Sequence, residues 1–164
     1  MKEKVILLVE DNPDDVVLTM RAFKQNKISN KVIVANDGVE ARDYLLGEGP
    51  YVGRDAKDLP VLILLDLKLP RMDGLEFLRW LRRNERVQLI PVVILTSSGE
   101  ENDLINGYKL GANSYVRKPV AFEQFIKAIK HLGIFWLLWN EPPPLDKLGE
   151  KNETTFAGPD RRRL

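Results

Sequence analysis

Four apolar runs in this chain end in a group able to do chemistry. Val5-Ile6-Leu7-Leu8-Val9 runs into Glu10-Asp11, and Leu62-Ile63-Leu64-Leu65 runs into Asp66. Val92-Val93-Ile94-Leu95 ends in Thr96-Ser97, and Ser114-Tyr115-Val116 is closed by Lys118-Pro119. A carboxylate in the middle of a buried run is costly, but at its end it can meet a ligand. Gathered at one place, these residues form a carboxylate cluster, a hydroxyl and a cation. Carboxylates so close repel each other unless a cation sits among them. Mg²⁺ suits oxygen donors of this kind, with Asp11 and Asp66 as direct ligands and Glu10 acting through water. The chemistry that fits is phosphoryl transfer onto a carboxylate. Ionised Asp66 attacks phosphorus without a base. The ion and Lys118 offset charge on the phosphoryl oxygens, and Thr96 donates a hydrogen bond to another. Ser97 is small enough to leave an approach open. Taken singly, each residue has a plain reading as a helix lead-in, a turn cap, a strand residue or a solvated lysine; their joint order makes the case.

The elements that must position them alternate along the chain. Strands are expected at 5–9, 31–35, 61–65, 91–95 and 114–116, as continuous apolar runs covered on both faces. Asn12-Pro13 caps and opens a helix to about Asn26, with Val16, Val17, Met20, Ala22 and Phe23 as its inner stripe. Asp37-Gly38 turns into a second helix carrying Val39, Ala41, Tyr44, Leu45 and Leu46. A polar stretch from Gly47 to Pro60 precedes the third strand. The third helix spans 74–83 with Leu75, Leu78 and Leu81 inward. The fourth spans 100–109, with Gly111 as its stop. The last starts near Phe122 and runs to Trp139, where Pro142-Pro143-Pro144 ends it. Such βα alternation implies an α/β, doubly wound parallel sheet with a crevice at the carboxyl ends of its strands.

The bulk properties narrow the function further. The chain has 164 residues, 44% hydrophobic and 30% charged, which suits one soluble domain with a tail. Its net charge of +1 gives no field to attract nucleic acid or an anionic membrane. There is no cysteine, which excludes disulfides, thiolate metal sites and thiol nucleophiles. The N-terminus lacks a signal-peptide pattern, and no apolar run reaches the roughly 18 residues of a membrane span. A cytoplasmic protein is expected, with a domain over 4–141 and a proline-initiated, flexible tail over 142–164.

With these residues in hand, the chain resembles the receiver domains of bacterial two-component response regulators over about Lys4 to Trp139. The resemblance rests on Glu10-Asp11, Asp66, the run Leu69-Pro70-Arg71-Met72-Asp73-Gly74, Thr96, and Tyr115 three before Lys118-Pro119. It implies the flavodoxin-like (βα)5 fold with strand order 2-1-3-4-5, for which a chemotaxis receiver is a known example. It implies that Asp66 is the phosphoacceptor, that Glu10, Asp11, Asp66 and the main-chain carbonyl of Lys68 hold Mg²⁺, and that Thr96 and Tyr115 are the switch pair. It also implies a cis peptide at Lys118-Pro119. The protein would then be a phosphoacceptor, not an enzyme, supplied by a sensor histidine kinase. The insertion before the third strand, the Glu-Asp-Asn-Pro opening and the segment from Phe135 to Pro144 are similar to the small regulators paired with bacterial phytochromes.

On this reading a phosphoryl group at Asp66 draws Thr96 inward and lets Tyr115 swing from exposed to buried. Lys68, two residues past the acceptor, faces the site and bears on the phosphoryl lifetime. Phe135, Trp136 and Trp139 are more apolar than one buried face requires, and a homodimer is expected through the fourth helix, fifth strand, fifth helix and the end of the last helix. The short basic end Arg161-Arg162-Arg163 points to solvation rather than DNA binding. Two other readings stand beside this one: a phosphorylation-silent scaffold, and an aspartate-nucleophile phosphohydrolase, against which Lys68 argues because such enzymes carry a second acid there.

Overall fold

Apolar runs without polar alternation need cover on both faces, and the chain supplies it with helices. The computed structural model describes residues 3–147, apart from the Asp146 side chain. Five strands and five helices alternate: β1 (Ile6–Val9), α1 (Pro13–Gln25), β2 (Val32–Ala35), α2 (Gly38–Leu46), β3 (Leu62–Leu65), α3 (Gly74–Arg83), β4 (Val92–Thr96), α4 (Glu101–Lys109), β5 (Ser114–Arg117) and α5 (Phe122–Gly133). All pairings are parallel and the order is β2-β1-β3-β4-β5, the expected flavodoxin-like arrangement.

The two-residue period of the strands divides the core. Leu7, Val9, Ile63, Leu65, Val92 and Ile94 face one side, against Ala41, Tyr44 and Leu45 of α2 and Phe77, Leu78 and Leu81 of α3. Ile6, Leu8, Leu62, Leu64, Val93 and Leu95 face the other, against Ala22 and Phe23 of α1 and Phe125 and Ile129 of α5. On the first side α2 and α3 start from aspartate caps: Asp37 accepts from the Glu40 amide at 2.8 Å and Asp73 from the Glu76 amide at 2.9 Å. Asn12 does the same for α1, accepting from Asp14 and Asp15, with Pro13 at the first helical position.

The helix faces differ in places from the expected stripes. In α1, Val17 and Met20 are exposed, and Thr19 is buried instead, its hydroxyl satisfied by the Asp15 carbonyl at 2.8 Å. In α3 the anchor is Phe77, while Leu75 is only half-buried. The polar stretch before β3 holds a single 3₁₀ turn at Gly49–Tyr51. It is pinned by Arg54, whose guanidinium donates to the carbonyls of Tyr44, Leu45, Asp55 and Asp58 and lies 4.1 Å over the Tyr44 ring. After α5 the chain continues as a π-helical segment, Ile134–Trp139. Leu145, in the segment expected to be tail, follows Pro142-Pro143-Pro144 and packs against the α2–α3 core. The remainder of that expected tail, from 148 on, lies outside the described residues.

The core on the α2–α3 side rests on one fully buried aromatic. Phe77→Ala should lower stability by about 3–5 kcal/mol, read as a lower denaturant midpoint at unchanged slope.

Candidate functional site

Parallel register brings the ends of four strands to one edge. Val9 pairs with Leu65, and Leu65 with Ile94, so Glu10 and Asp66 emerge side by side with Thr96 next to them. The backbone carries the alignment one residue further: the Asp66 amide donates to the Val9 carbonyl at 3.0 Å and the Lys118 amide to the Thr96 carbonyl at 2.7 Å. The side chains then meet. Lys118 Nζ lies 2.6 Å from Glu10 Oε2, 3.2 Å from Asp66 Oδ2 and 3.2 Å from Asp15 Oδ2. Asp66 Oδ1 accepts from Thr96 Oγ1 at 2.8 Å and from the Leu67 amide at 2.6 Å. Glu10 Oε1 accepts from the Asn12 amide at 3.1 Å. The loop after Asp66 is held close by Gly74, where a Cβ would come within 2.2 Å of the Asp66 carbonyl oxygen.

Burial makes these contacts strong. Glu10, Asp66 and Thr96 are all buried. Burial pushes the Glu10 carboxyl up to about 7, helped by Asp66 and opposed by Lys118. Burial also opposes ionisation of Asp66, but hydrogen bonds from Glu10, Thr96 and Lys118 and the ammonium charge outweigh it and hold its pKa below the usual range. Lys118 is pushed up to about 12; its contacts with Glu10, Asp66 and Asp15 overcome the cost of burying it. At neutral pH the site therefore holds an ionised Asp66, a charged Lys118 and a Glu10 poised to lose a proton. Carboxylate oxygens of Glu10, Asp15 and Asp66 lie within 4.8 Å of one another, a hard-oxygen donor set of the kind that holds a divalent cation.

The sequence model of the response regulator receiver domain matches residues 6–130. This chain belongs to that family. Rcp1, a response regulator of Synechocystis, is 39% identical over 134 residues, covering 82% of this chain and 89% of its own. The crystal structure of the Mn²⁺-bound form of a response regulator named Rcp1 superposes with a TM-score of 0.78 at 38% identity, covering 85% of this chain and 99% of that one. The phosphorylated cyanobacterial phytochrome response regulator RcpA matches with a TM-score of 0.79 at 37% identity, over 87% of this chain and 99% of its own. The bacteriophytochrome response regulator RtBRR is 52% identical, with a TM-score of 0.70 over 88% of this chain and 87% of its own.

Within this receiver domain the structure brings together Glu10, Asp66, Thr96 and Lys118 as the strand ends anticipated. It does not bring in Asp11, which is exposed; Asp15, one turn into α1, joins the acid group in its place. The signal for Asp15 was available in the helical phase: a residue in the first turn after a cap at the strand end can fold back over that end. Lys68 is exposed, its amide 3.4 Å from Asp66 Oδ1. The Lys118–Pro119 peptide is trans, not cis. The trans form is the ordinary preference even before proline, by about 0.5–1 kcal/mol, and the Lys118 amide keeps its sheet bond to Thr96. Tyr115 is already half-buried, its hydroxyl donating to the Ser98 carbonyl at 3.0 Å, and Thr96 already touches Asp66. Of the expected interface residues, Phe135 and Trp139 are exposed and Trp136 packs onto the α1–α5 core. Among the described residues, no helix is long and apolar enough to cross a membrane.

Lys118 is the only cation in contact with the three acids among the described residues. Lys118→Met should cost about 3–5 kcal/mol at pH 8, because it leaves buried like charges unpaired. The loss should shrink toward pH 5, where Glu10 is protonated and one of the like charges is gone. Urea unfolding of both proteins at the two pH values measures this.

Proposed function

We propose that this protein is a response regulator that accepts a phosphoryl group on Asp66 from a sensor histidine kinase, with Mg²⁺ bound at the acid cluster. The observation that carries the reading is the meeting of Asp66 with Lys118 Nζ at 3.2 Å and Thr96 Oγ1 at 2.8 Å, beside Glu10 and Asp15. An oxygen of the ionised Asp66 forms a bond to phosphorus as the bond from phosphorus to the kinase histidine nitrogen breaks. Lys118 holds one phosphoryl oxygen by charge, and Thr96 turns its hydroxyl to another. Asp66, Asp15 and Glu10 would hold the ion, which when bound neutralises the transferring oxygens. The Glu10 carboxyl gives up its proton to take part. The chain supplies a nucleophile and charge rather than turnover of a free substrate, so we read it as a phosphoacceptor and not an enzyme.

Support for a bacterial phytochrome as the kinase comes from the likeness to RcpA and RtBRR, which are named as regulators of that kind. The exposed apolar residues Leu104, Ile105 and Tyr108 on α4, with Phe135, Leu138 and Trp139 beyond α5, support signalling through protein contact, including a homodimer over this face, rather than through DNA. With the near-neutral charge and the absence of cysteine, these features suit a cytoplasmic protein.

Incubated with acetyl phosphate and Mg²⁺, the protein should gain one phosphoryl group by mass spectrometry. Asp66→Asn should gain none while keeping the wild-type circular dichroism. A labelled Asp66→Asn protein would refute the assignment. The Glu10 proton gives a second test. Below about 7 the cation must displace it, so Mg²⁺ affinity should fall as pH drops from 7 to 5.5 and level off above pH 8. Calorimetric titration with the metal alone measures this, and a pH-independent affinity would count against Glu10 as part of the site.

A further inference from the structure

A second chain of contacts leaves the site on the side away from Lys118. Lys68 Nζ lies 3.5 Å from Asp103 Oδ2 on α4. The same Asp103 oxygen accepts from Ser98 Oγ at 2.6 Å. Ser98 is tied to both members of the switch pair: its carbonyl accepts from Tyr115, and its amide donates to Thr96 Oγ1 at 3.3 Å. Asp103 is therefore the residue of α4 through which the phosphoacceptor loop, the β4–α4 loop and Tyr115 are connected.

The two bonds of Asp103 differ in strength. The Asp103 side chain is 14% exposed, and its short bond from Ser98 is charge-assisted. Lys68 is 64% exposed, and its pair with Asp103 is of the weak, solvent-screened kind. A weak ion pair contributes little to the fold but is easily exchanged for a stronger one. A phosphoryl group on Asp66 would offer Lys68 more negative charge than one carboxylate does.

We propose that Asp103 is a positioning residue that competes with the phosphoryl group for the Lys68 ammonium, so that it shortens the phosphoryl lifetime and reports phosphorylation to α4. The proposal rests on the reading of Asp66 as phosphoacceptor. While Asp103 holds Lys68, the approach to the acyl phosphate stays open. A water oxygen then bonds to phosphorus, the phosphorus–oxygen bond to Asp66 breaks, and inorganic phosphate leaves the restored carboxylate. When Lys68 turns to the phosphoryl oxygens, it lies across that approach, and Asp103 is left with Ser98 alone.

The test compares the full-length wild type, Asp103→Asn, Lys68→Met and the double variant, each labelled with acetyl phosphate and freed of donor by rapid desalting. Asp103→Asn should lengthen the label half-life roughly threefold, the scale set by one exposed ion pair. The double variant should decay like Lys68→Met alone. An unchanged or shortened half-life in Asp103→Asn, or a lengthening that persists undiminished without Lys68, overturns the proposal. A readout free of phosphorylation separates its failure from failure of the phosphoacceptor reading. With 3-fluorotyrosine incorporated, the Tyr115 resonance (assigned by its loss in Tyr115→Phe) should shift in Asp103→Ala, which drops Ser98. If it does not shift, Asp103 does not position the switch. If even the wild type takes no label, the phosphoacceptor reading and the lifetime claim fall together, while the fluorine shift still decides the Asp103–Ser98–Tyr115 link.

Discussion

Like charge crowded at the ends of β1 and β3 is the constraint around which this molecule is built. Three carboxylates within 4.8 Å of one another are faced by one ammonium. At an effective dielectric near 20, each like-charged pair about 4 Å apart costs about 4 kcal/mol. One lysine cannot offset all of that, and burial together with the neighbouring Asp66 makes Glu10 keep its proton up to about 7 while Asp66 stays ionised. The same deficit of positive charge makes the site a hard-oxygen donor set of the kind that suits a divalent cation. A core designed only for stability would have no reason to hold these acids; the fold tolerates them because the buried strands behind them are uninterrupted.

That tolerance depends on register. A slip of one residue in β3 would exchange the two core faces, moving Ile63 and Leu65 to the α1–α5 side, and would carry Asp66 away from Lys118. Apolar residues on both faces of β1, β3 and β4 therefore hold the electrostatics in place. Gly74 contributes from the helix side, since only a residue without Cβ lets α3 begin against the Asp66 carbonyl. The ion pair of Arg71 with Asp37, at 2.6 Å, ties the loop after Asp66 to the start of α2. Arg71 sits at φ +60°, a left-handed conformation that few non-glycine residues adopt.

What could be read from the sequence follows from how local the controlling physics is. Continuous apolar runs marked the five strands to within a residue, and the groups just past their ends named Glu10, Asp66, Thr96 and Lys118. The aspartate and asparagine caps marked helix starts. Asp15 carried only its helical phase as a signal, a place in the first turn after the Asn12 cap; that it reaches the acid group depends on how α1 packs over the strand ends, a tertiary fact. Val17 and Met20 were misplaced because their spacing fits an apolar stripe equally well when rotated by one position, and the actual face uses Thr19 with its hydroxyl satisfied internally. Leu145 was missed because a lone leucine in a polar segment carries no periodicity. The trans peptide before Pro119 and the inward Tyr115 are choices between close-lying states that no local pattern decides.

The unequal anchoring of the helices shows where a change at the site can travel. α3 buries Phe77, Leu78 and Leu81 and starts from a side-chain cap. α4 has no side-chain cap, and its single buried residue is Gly107. A Cβ at Gly107 would come 2.8 Å from Ile94 Cδ1 and 3.3 Å from the Tyr115 ring, so the glycine makes the room that the inward Tyr115 uses. A glycine there also weakens the helix by roughly 0.5–1 kcal/mol relative to alanine. α4 is thus a helix with little apolar burial, a weakened middle and three exposed apolar side chains, which is the profile of a segment that shifts at small cost. Because β4 delivers Thr96 to Asp66 at one end and leads directly into α4 through Ser98, the weakest-held helix adjoins the most strongly charged site. Of the two helices that flank the site on this face, α4 is therefore the one that shifts at the smaller cost, and the well-anchored α3 is the fixed side against which it would shift.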